Sequence, residues 1–290
     1  MNVIKVIPRG FCSGVVNSIK IAKDTANKYR HKNIYMIGML VHNKHIIDEL
    51  RGLNINYICD LFKSRKEIIM SLPEDSVVIF SAHGTNEDII KLAKERNLIV
   101  IDTICEWVEV TRKLIKSNLN ENKKIVFIGK NNHPETIALT SIDKCNIFMI
   151  ENEEQISDIP FSTEEQILAT NQTTLSILKI KHIYEKLKEK YKNIEIKNDI
   201  CLATTQRQEA ILNLKGKKID LILVVGDERS SNTAELVNVG NSIGIKTIRV
   251  SDILEISEDL IKNIETLAIT AGASTSSIIL NKIINYLENY

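Results

Sequence analysis

Four landmarks occur in the same order three times along this 290-residue chain. The first is a cysteine: Cys12, Cys105 and Cys201. The second is a glycine closing a short apolar run: Gly38 in YMIG, Gly129 in VFIG and Gly226 in LVVG. These glycines stand 26, 24 and 25 residues after their cysteines. The third is a polar residue four positions further on: His42, His133 and Ser230. The fourth is another strand-end motif: FSAHG ending at Gly84, LATNQT ending at Thr173 and ITAGAS ending at Ser274. Its residues Ser81, Thr170 and Thr270 lie 43, 41 and 44 residues beyond the glycines. Self-similarity at a fixed period means that one supersecondary plan is being reused. The chain is therefore expected to fold as three copies of a unit.

The unit is α/β. Strands are predicted at Val3–Ile7, Ile34–Ile37, Val77–Phe80, Lys124–Ile128, Gln166–Ala169, Leu221–Val225, Lys246–Val250 and Leu267–Ile269. Amphipathic helices are predicted at Ser13–Lys28, Glu87–Glu95, Val108–Asn118, Ser176–Lys190, Gln206–Leu214, Thr233–Ser242 and Ser276–Glu288. The strands are short, apolar and mostly without alternation, as expected of parallel strands covered on both faces. The units run 1–101, 102–198 and 199–290, with the N-terminal strand a candidate to join the third. Ligands of open α/β sheets sit beyond the carboxyl ends of the strands. Three units about a pseudo-threefold axis, with mostly parallel sheets, would gather their cysteines and strand-end polar groups at one centre.

Bulk properties exclude several classes. Lys plus Arg is 38 against 37 Asp plus Glu, a net charge of +1, which gives no basis for nucleic-acid binding. Apolar runs such as Leu221–Val225 are far too short to span a bilayer. The N-terminus reads as a strand, not a secretory signal, so a reducing, cytoplasmic compartment and free thiols are expected.

Cys12 in PRGFCSG, Cys105 in DTICEW and Cys201 in DICLATT all stand at predicted helix starts, where backbone N–H groups favour a thiolate. Cys59 and Cys145 fall outside the repeat, on strand-like apolar stretches, and are expected in the core. Three separated thiolates suit zinc or a 4Fe–4S cluster with one iron not bound by a protein thiolate. His42, His83, His133, Ser230, Ser231, Asn232 and Ser274 follow strands or lead into helices. Some would serve simply as caps, but together they also make an anion site. Glu135 is a candidate general acid or a first-turn helix residue. Thr173 is a cap or a donor into the centre.

The motifs PRGFCSGV, VHN, FSAHG, HPE, NQTTLS, NDICLATTQRQEA, SSN and TAGAS occur in the order seen in the 4-hydroxy-3-methylbut-2-enyl diphosphate reductases, and the resemblance covers nearly the whole chain. It implies three α/β units around a 4Fe–4S cluster held by Cys12, Cys105 and Cys201. It implies that His42, His83, His133, Ser230, Ser231, Asn232 and Ser274 hold a small allylic diphosphate. Glu135 and Thr173, with His133, would deliver protons at the substrate hydroxyl. A two-electron reductive dehydroxylation would give isopentenyl and dimethylallyl diphosphate, the last step of the non-mevalonate route to isoprenoids. Electrons would come from a ferredoxin or flavodoxin. The chain departs from the family pattern at Glu106, where proline usually follows the cysteine. It departs also at Thr136–Ile137–Ala138 after HPE and at Arg229 before the Ser-Ser-Asn run.

Overall fold

The computed structural model describes residues 1–59 and 62–290. The first stretch runs β1 (Asn2–Lys5), α1 (Ser13–Lys28), β2 (Ile34–Ile37), α2 (Lys44–Arg51), β3 (Ile55–Ile58), α3 (Arg65–Ser71), β4 (Val77–Phe80), α4 (Glu87–Glu95) and β5 (Ile99–Asp102). The second runs α5 (Glu106–Asn120), β6 (Lys124–Ile128), α6 (Pro134–Thr140), β7 (Ile147–Ile150), β8 (Ile167–Asn171), α7 (Ile177–Lys190) and β9 (Ile194–Ile196). The third runs α8 (Leu202–Leu212), β10 (Leu221–Val225), α9 (Ser231–Ser242), β11 (Thr247–Val250), α10 (Glu258–Ile261), β12 (Thr266–Ala271) and α11 (Ser277–Glu288).

The strands form three parallel four-stranded sheets, ordered β3-β2-β4-β5, β7-β6-β8-β9 and β11-β10-β12-β1. Their plan is the same, and β1 fills in the third sheet the place that β5 and β9 fill in the others. The central strands are buried on both faces, which is why VVIF, KIVFI and LILVV carry no polar alternation. Each repeated glycine closes a central strand the same way. The N–H of Gly38, Gly129 or Gly226 donates to the last carbonyl of the neighbouring strand, at Ile58, Ile150 or Val250. A Cβ at Gly226 would lie 2.4 Å from the Thr233 hydroxyl oxygen, and one at Gly129 2.5 Å from that of Thr136. Helices α9 and α6 could not approach the strand ends over a larger residue.

The chain crosses between units at the cysteines. Helix α1 packs Val15, Ile19 and Ala22 on β2 and β4, α5 packs Val108 and Ile115 on β6, and α8 packs Ile211 on β10. Each of these helices follows directly on a strand at the edge of another sheet. All three cysteine-bearing connections thus lie where one unit hands the chain to the next.

Several predicted elements change in extent. Strand β8 runs on through Thr170 and Asn171, which read as loop because they are polar. Both are fully buried, with the Thr170 hydroxyl donating to Asp199 at 2.6 Å and Asn171 accepting from the Tyr184 hydroxyl at 2.6 Å. Helix α8 begins at Leu202 and α9 at Ser231, four and two residues earlier than their apolar periodicity suggests, because their first turns serve the centre rather than a core. The strands missed were β3, β5, β7 and β9, edge strands of three or four residues that are only partly buried.

Candidate active site

Cys12, Cys105 and Cys201 are the N-cap residues of α1, α5 and α8, in extended backbone conformation. Each donates its N–H to a carbonyl two residues beyond the end of a central strand: Cys12 to Ala273 at 3.0 Å, Cys105 to Ala82 at 2.9 Å and Cys201 to Thr173 at 3.0 Å. The structurally equivalent residues of the strand-end motif are therefore Ala82, Thr173 and Ala273. Three dipole-positive helix ends carry three half-buried thiols towards one cavity. Burial pushes the Cys105 thiol up to about 11, and Cys12 and Cys201 add to the shift. Cys201 is also raised, first by burial, while Thr204 opposes the shift. A buried thiol raised by its neighbours resists ionisation until a cation binds it.

Gly14, in the first turn of α1, admits this arrangement. A Cβ there would lie 2.5 Å from Cys105 Sγ and 3.9 Å from Cys12 Sγ. Sequence reading passed over this residue, although a glycine two positions after a candidate ligand, inside a helix, was visible. Thr204 was missed as well. Its hydroxyl oxygen is 3.2 Å from Cys201 Sγ and accepts from Asn232 Nδ2 at 3.1 Å, which leaves its own proton to point at the sulfur once that is ionised.

His42, His83 and His133 meet across two units, with ring centroids 4.5, 5.9 and 5.5 Å apart. All three are held neutral, first by burial. His42 is lowered, His133 is pushed down to about 3, and His83 lies well below the usual imidazole range. Both ring nitrogens of His42 and Nδ1 of His83 are buried without a partner. Such atoms call for a polar ligand. Among the described residues this trio alone brings three His, Cys or carboxylate donor atoms within 4.8 Å of one another. A metal ion there would need a free lone pair from each ring. His133 has none to give: its Nδ1 accepts the N–H of Glu135 at 3.2 Å, so the neutral ring carries its proton on Nε2. His133 therefore presents an N–H donor, which suits an anion.

Glu135 follows His133 in the first turn of α6 and is buried. Its carboxyl accepts the N–H of Thr173 at 2.7 Å and the hydroxyl of Thr173 at 3.0 Å. Burial pushes it up to about 7, against those two hydrogen bonds. A carboxyl poised there can give up a proton near neutral pH. Thr173 also accepts the Cys201 N–H, so the acid and one cysteine share a support.

Ser230 caps α9, its Oγ accepting from the Thr233 N–H at 3.3 Å, so the capping reading and the site reading coincide. The Ser274 hydroxyl donates to the His42 carbonyl at 3.0 Å, and Asn43 Nδ2 donates to the Ser274 carbonyl at 2.6 Å, which ties the third unit to the first. Asn232 is a strut. It donates to Thr204 and accepts the N–H of Ala273 at 3.0 Å, linking the supports of two cysteines. Gln172, fully buried, was not singled out in the sequence. Its Oε1 accepts from the Lys130 N–H at 2.9 Å, and its Nε2 donates to Thr174 at 2.9 Å and to Ser231 at 3.2 Å. Gln172→Leu leaves those groups unpaired and is expected to lower stability by about 1–3 kcal/mol in denaturant unfolding.

All twelve predicted site residues line this one cavity. The expectation for the other two cysteines is corrected: Cys59 and Cys145 are exposed. Cys59 lies past the end of edge strand β3. Cys145 sits in a turn held by Asp143, which accepts its N–H at 2.9 Å, ahead of β7. Apolar neighbours had suggested strand positions that these residues do not occupy.

Three sheets of one plan, with three helix-capping thiols beside a neutral imidazole and hydroxyl pocket, define a three-unit α/β protein. The chain belongs to the LytB protein family, whose model matches residues 3–288. It is 44% identical to the 4-hydroxy-3-methylbut-2-enyl diphosphate reductase of Malacoplasma penetrans, over 99% of this chain and 97% of that one. It is 39% identical to that of Bacillus licheniformis, over 100% of this chain and 91% of that one. Among solved structures it is similar to the E-1-hydroxy-2-methyl-but-2-enyl-4-diphosphate reductase of Plasmodium falciparum. The TM-score is 0.92 at 30% identity, covering 99% of this chain and 88% of that one. No helix among the described residues is long and apolar enough to cross a membrane.

Proposed function

We propose that this chain reduces 4-hydroxy-3-methylbut-2-enyl diphosphate to isopentenyl and dimethylallyl diphosphate. Two electrons and two protons enter, the allylic C–O bond breaks, and water leaves. The observation that carries the reading is one cavity lined by three thiols, three neutral imidazoles, two of which carry buried nitrogens without a partner, and a carboxyl that burial pushes up to about 7.

The donor set fits an iron–sulfur cluster. The three thiols do not form a set within 4.8 Å, although the imidazoles do. A single ion bonded to three sulfurs at about 2.3 Å would hold each pair within about 4.6 Å. A larger cluster suits the wider spread. Cys12, Cys105 and Cys201 would hold a 4Fe–4S cluster with one iron free of protein thiolate. When bound, it supplies one-electron redox chemistry and a Lewis-acid site for the substrate hydroxyl.

The protein's own residues do the rest. His133 offers Nε2–H to a diphosphate oxygen, and His42, His83, Ser230, Ser231 and Ser274 converge on the same pocket. Neutral donors serve where an unpaired buried cation would be costly. Glu135 and Thr173 hold the proton for the departing hydroxyl. Electrons arrive from a small carrier of the ferredoxin or flavodoxin class.

The test is anaerobic reconstitution with iron and sulfide, followed by reduction and addition of the hydroxylated allylic diphosphate. Both C5 diphosphates, which are isomers of equal mass, are expected after chromatographic separation with mass-spectrometric detection. An intact, reducible cluster that yields neither would overturn the enzymatic reading.

A further inference from the structure

Arg207 is 3% exposed, on α8 six residues past Cys201. Helical side chains lean towards the helix N-terminus, and this one reaches back along α8. Its Nη1 donates to the Ala203 carbonyl at 2.9 Å, and its Nη2 donates to the carbonyl of Gly10, just ahead of Cys12, at 2.7 Å. Its Nε is buried and without a partner. Both bonds go to uncharged acceptors. Among the described residues, the groups that favour its charge are Cys12 and Cys201. A buried guanidinium lacking a carboxylate is strongly unfavourable unless a counter-charge stands nearby. Arginine does not escape by losing its proton, since its guanidinium remains charged in proteins.

We infer that Arg207 is the fixed counter-charge of the sulfur centre, a positioning residue that biases the centre towards its reduced, more negative state. This rests on the cluster reading above. The anion missing around Arg207 is the thiolate-bound cluster: the guanidinium bridges α8, which begins at Cys201, and the loop two residues ahead of Cys12. The two carbonyl bonds fix the charge in place, so it acts by distance and sign, without touching substrate.

Arg207→Gln removes the charge and keeps a donor; Arg207→Lys keeps the charge. Two readouts separate charge from bracing. The first is the thermal midpoint of metal-free protein. Removing an uncompensated cation is expected to leave it unchanged or raise it in the Gln variant, whereas loss of a brace would lower it. The second is the reduction potential of the reconstituted cluster, followed by electron paramagnetic resonance. At fixed poise the Gln variant is expected to show a reduced-to-oxidised ratio at least tenfold lower, a negative shift of about 59 mV for one electron, with the Lys variant close to wild type. A Gln variant that cannot retain its cluster, while its metal-free midpoint holds and Lys restores retention, supports the same assignment. An unmoved potential in a loaded Gln variant overturns it, as does an equal loss of midpoint in metal-free and loaded protein. Wild-type protein that takes up neither iron nor sulfide instead overturns the cluster reading itself.

Discussion

Glu135→Gln is expected to retain the cluster and lose turnover by about 10²- to 10⁴-fold, the usual worth of a positioned general acid. The substitution is isosteric. The amide oxygen still accepts the Thr173 N–H, and the Thr173 hydroxyl accepts from the new amide nitrogen instead of donating to Oε2, so the support of Cys201 survives. Wild-type turnover should fall as pH rises through about 7, the point to which burial has pushed this carboxyl, because the proton to be delivered is then gone. Stability moves in the opposite sense in the variant. The carboxyl ionises near 4.5 when unfolded and near 7 when folded, so the wild type loses stability as pH rises from 4.5 to 7. A shift of that size corresponds to about 3 kcal/mol. Above pH 7 the Gln variant should therefore melt higher than the wild type. Steady-state rates and thermal melts at pH 8 check both. An active variant, or one that melts lower, would refute the acid role.

That coupling of stability to function shows which parts of the molecule were legible in the sequence. The central strands were readable because burial on both faces leaves continuous apolar runs, as in VVIF and LILVV. The site's cysteines were readable because three copies of one plan put them in register. Gln172 and Thr204 are different, and so is the bracing role of Asn232, which the sequence offered only as a cap or anion-site residue. Each acts through polar contacts between segments far apart in the chain: Gln172 reaches Ser231, and Asn232 reaches Thr204 and Ala273. A single buried Gln or Thr leaves no periodic signal, and its partners appear only once three sheets close on a centre. The same closure explains why Ser230 reads correctly as a cap and also lines the cavity. The helix start that it caps is the wall of the site.

Gly14→Ala is expected to give a folded protein that cannot assemble the centre. Local propensity runs the other way. Alanine in a helix is favoured over glycine by about 1 kcal/mol, and Gly14 lies within α1 at a backbone conformation that any residue adopts. Seen from the helix alone, the change is stabilising. The added Cβ, however, would stand 2.5 Å from Cys105 Sγ and 3.4 Å from Cys105 Cβ. A thiol has one rotatable bond with which to yield, and turning it away withdraws one of three ligands. Backbone retreat is blocked on both sides. The Cys12 N–H is held by Ala273, the Cys105 N–H is held by Ala82, and Ser18, one turn further along α1, donates to the Thr103 carbonyl at 2.8 Å. The predicted signature is thus a metal-free melt at or above that of wild type together with failure to take up iron and sulfide. Cys105→Ser, which removes the same ligand without the clash, should reproduce the loss of loading. A Gly14→Ala protein that loads fully would mean that Cys105 reaches the centre from another rotamer, and that the glycine serves helix packing alone.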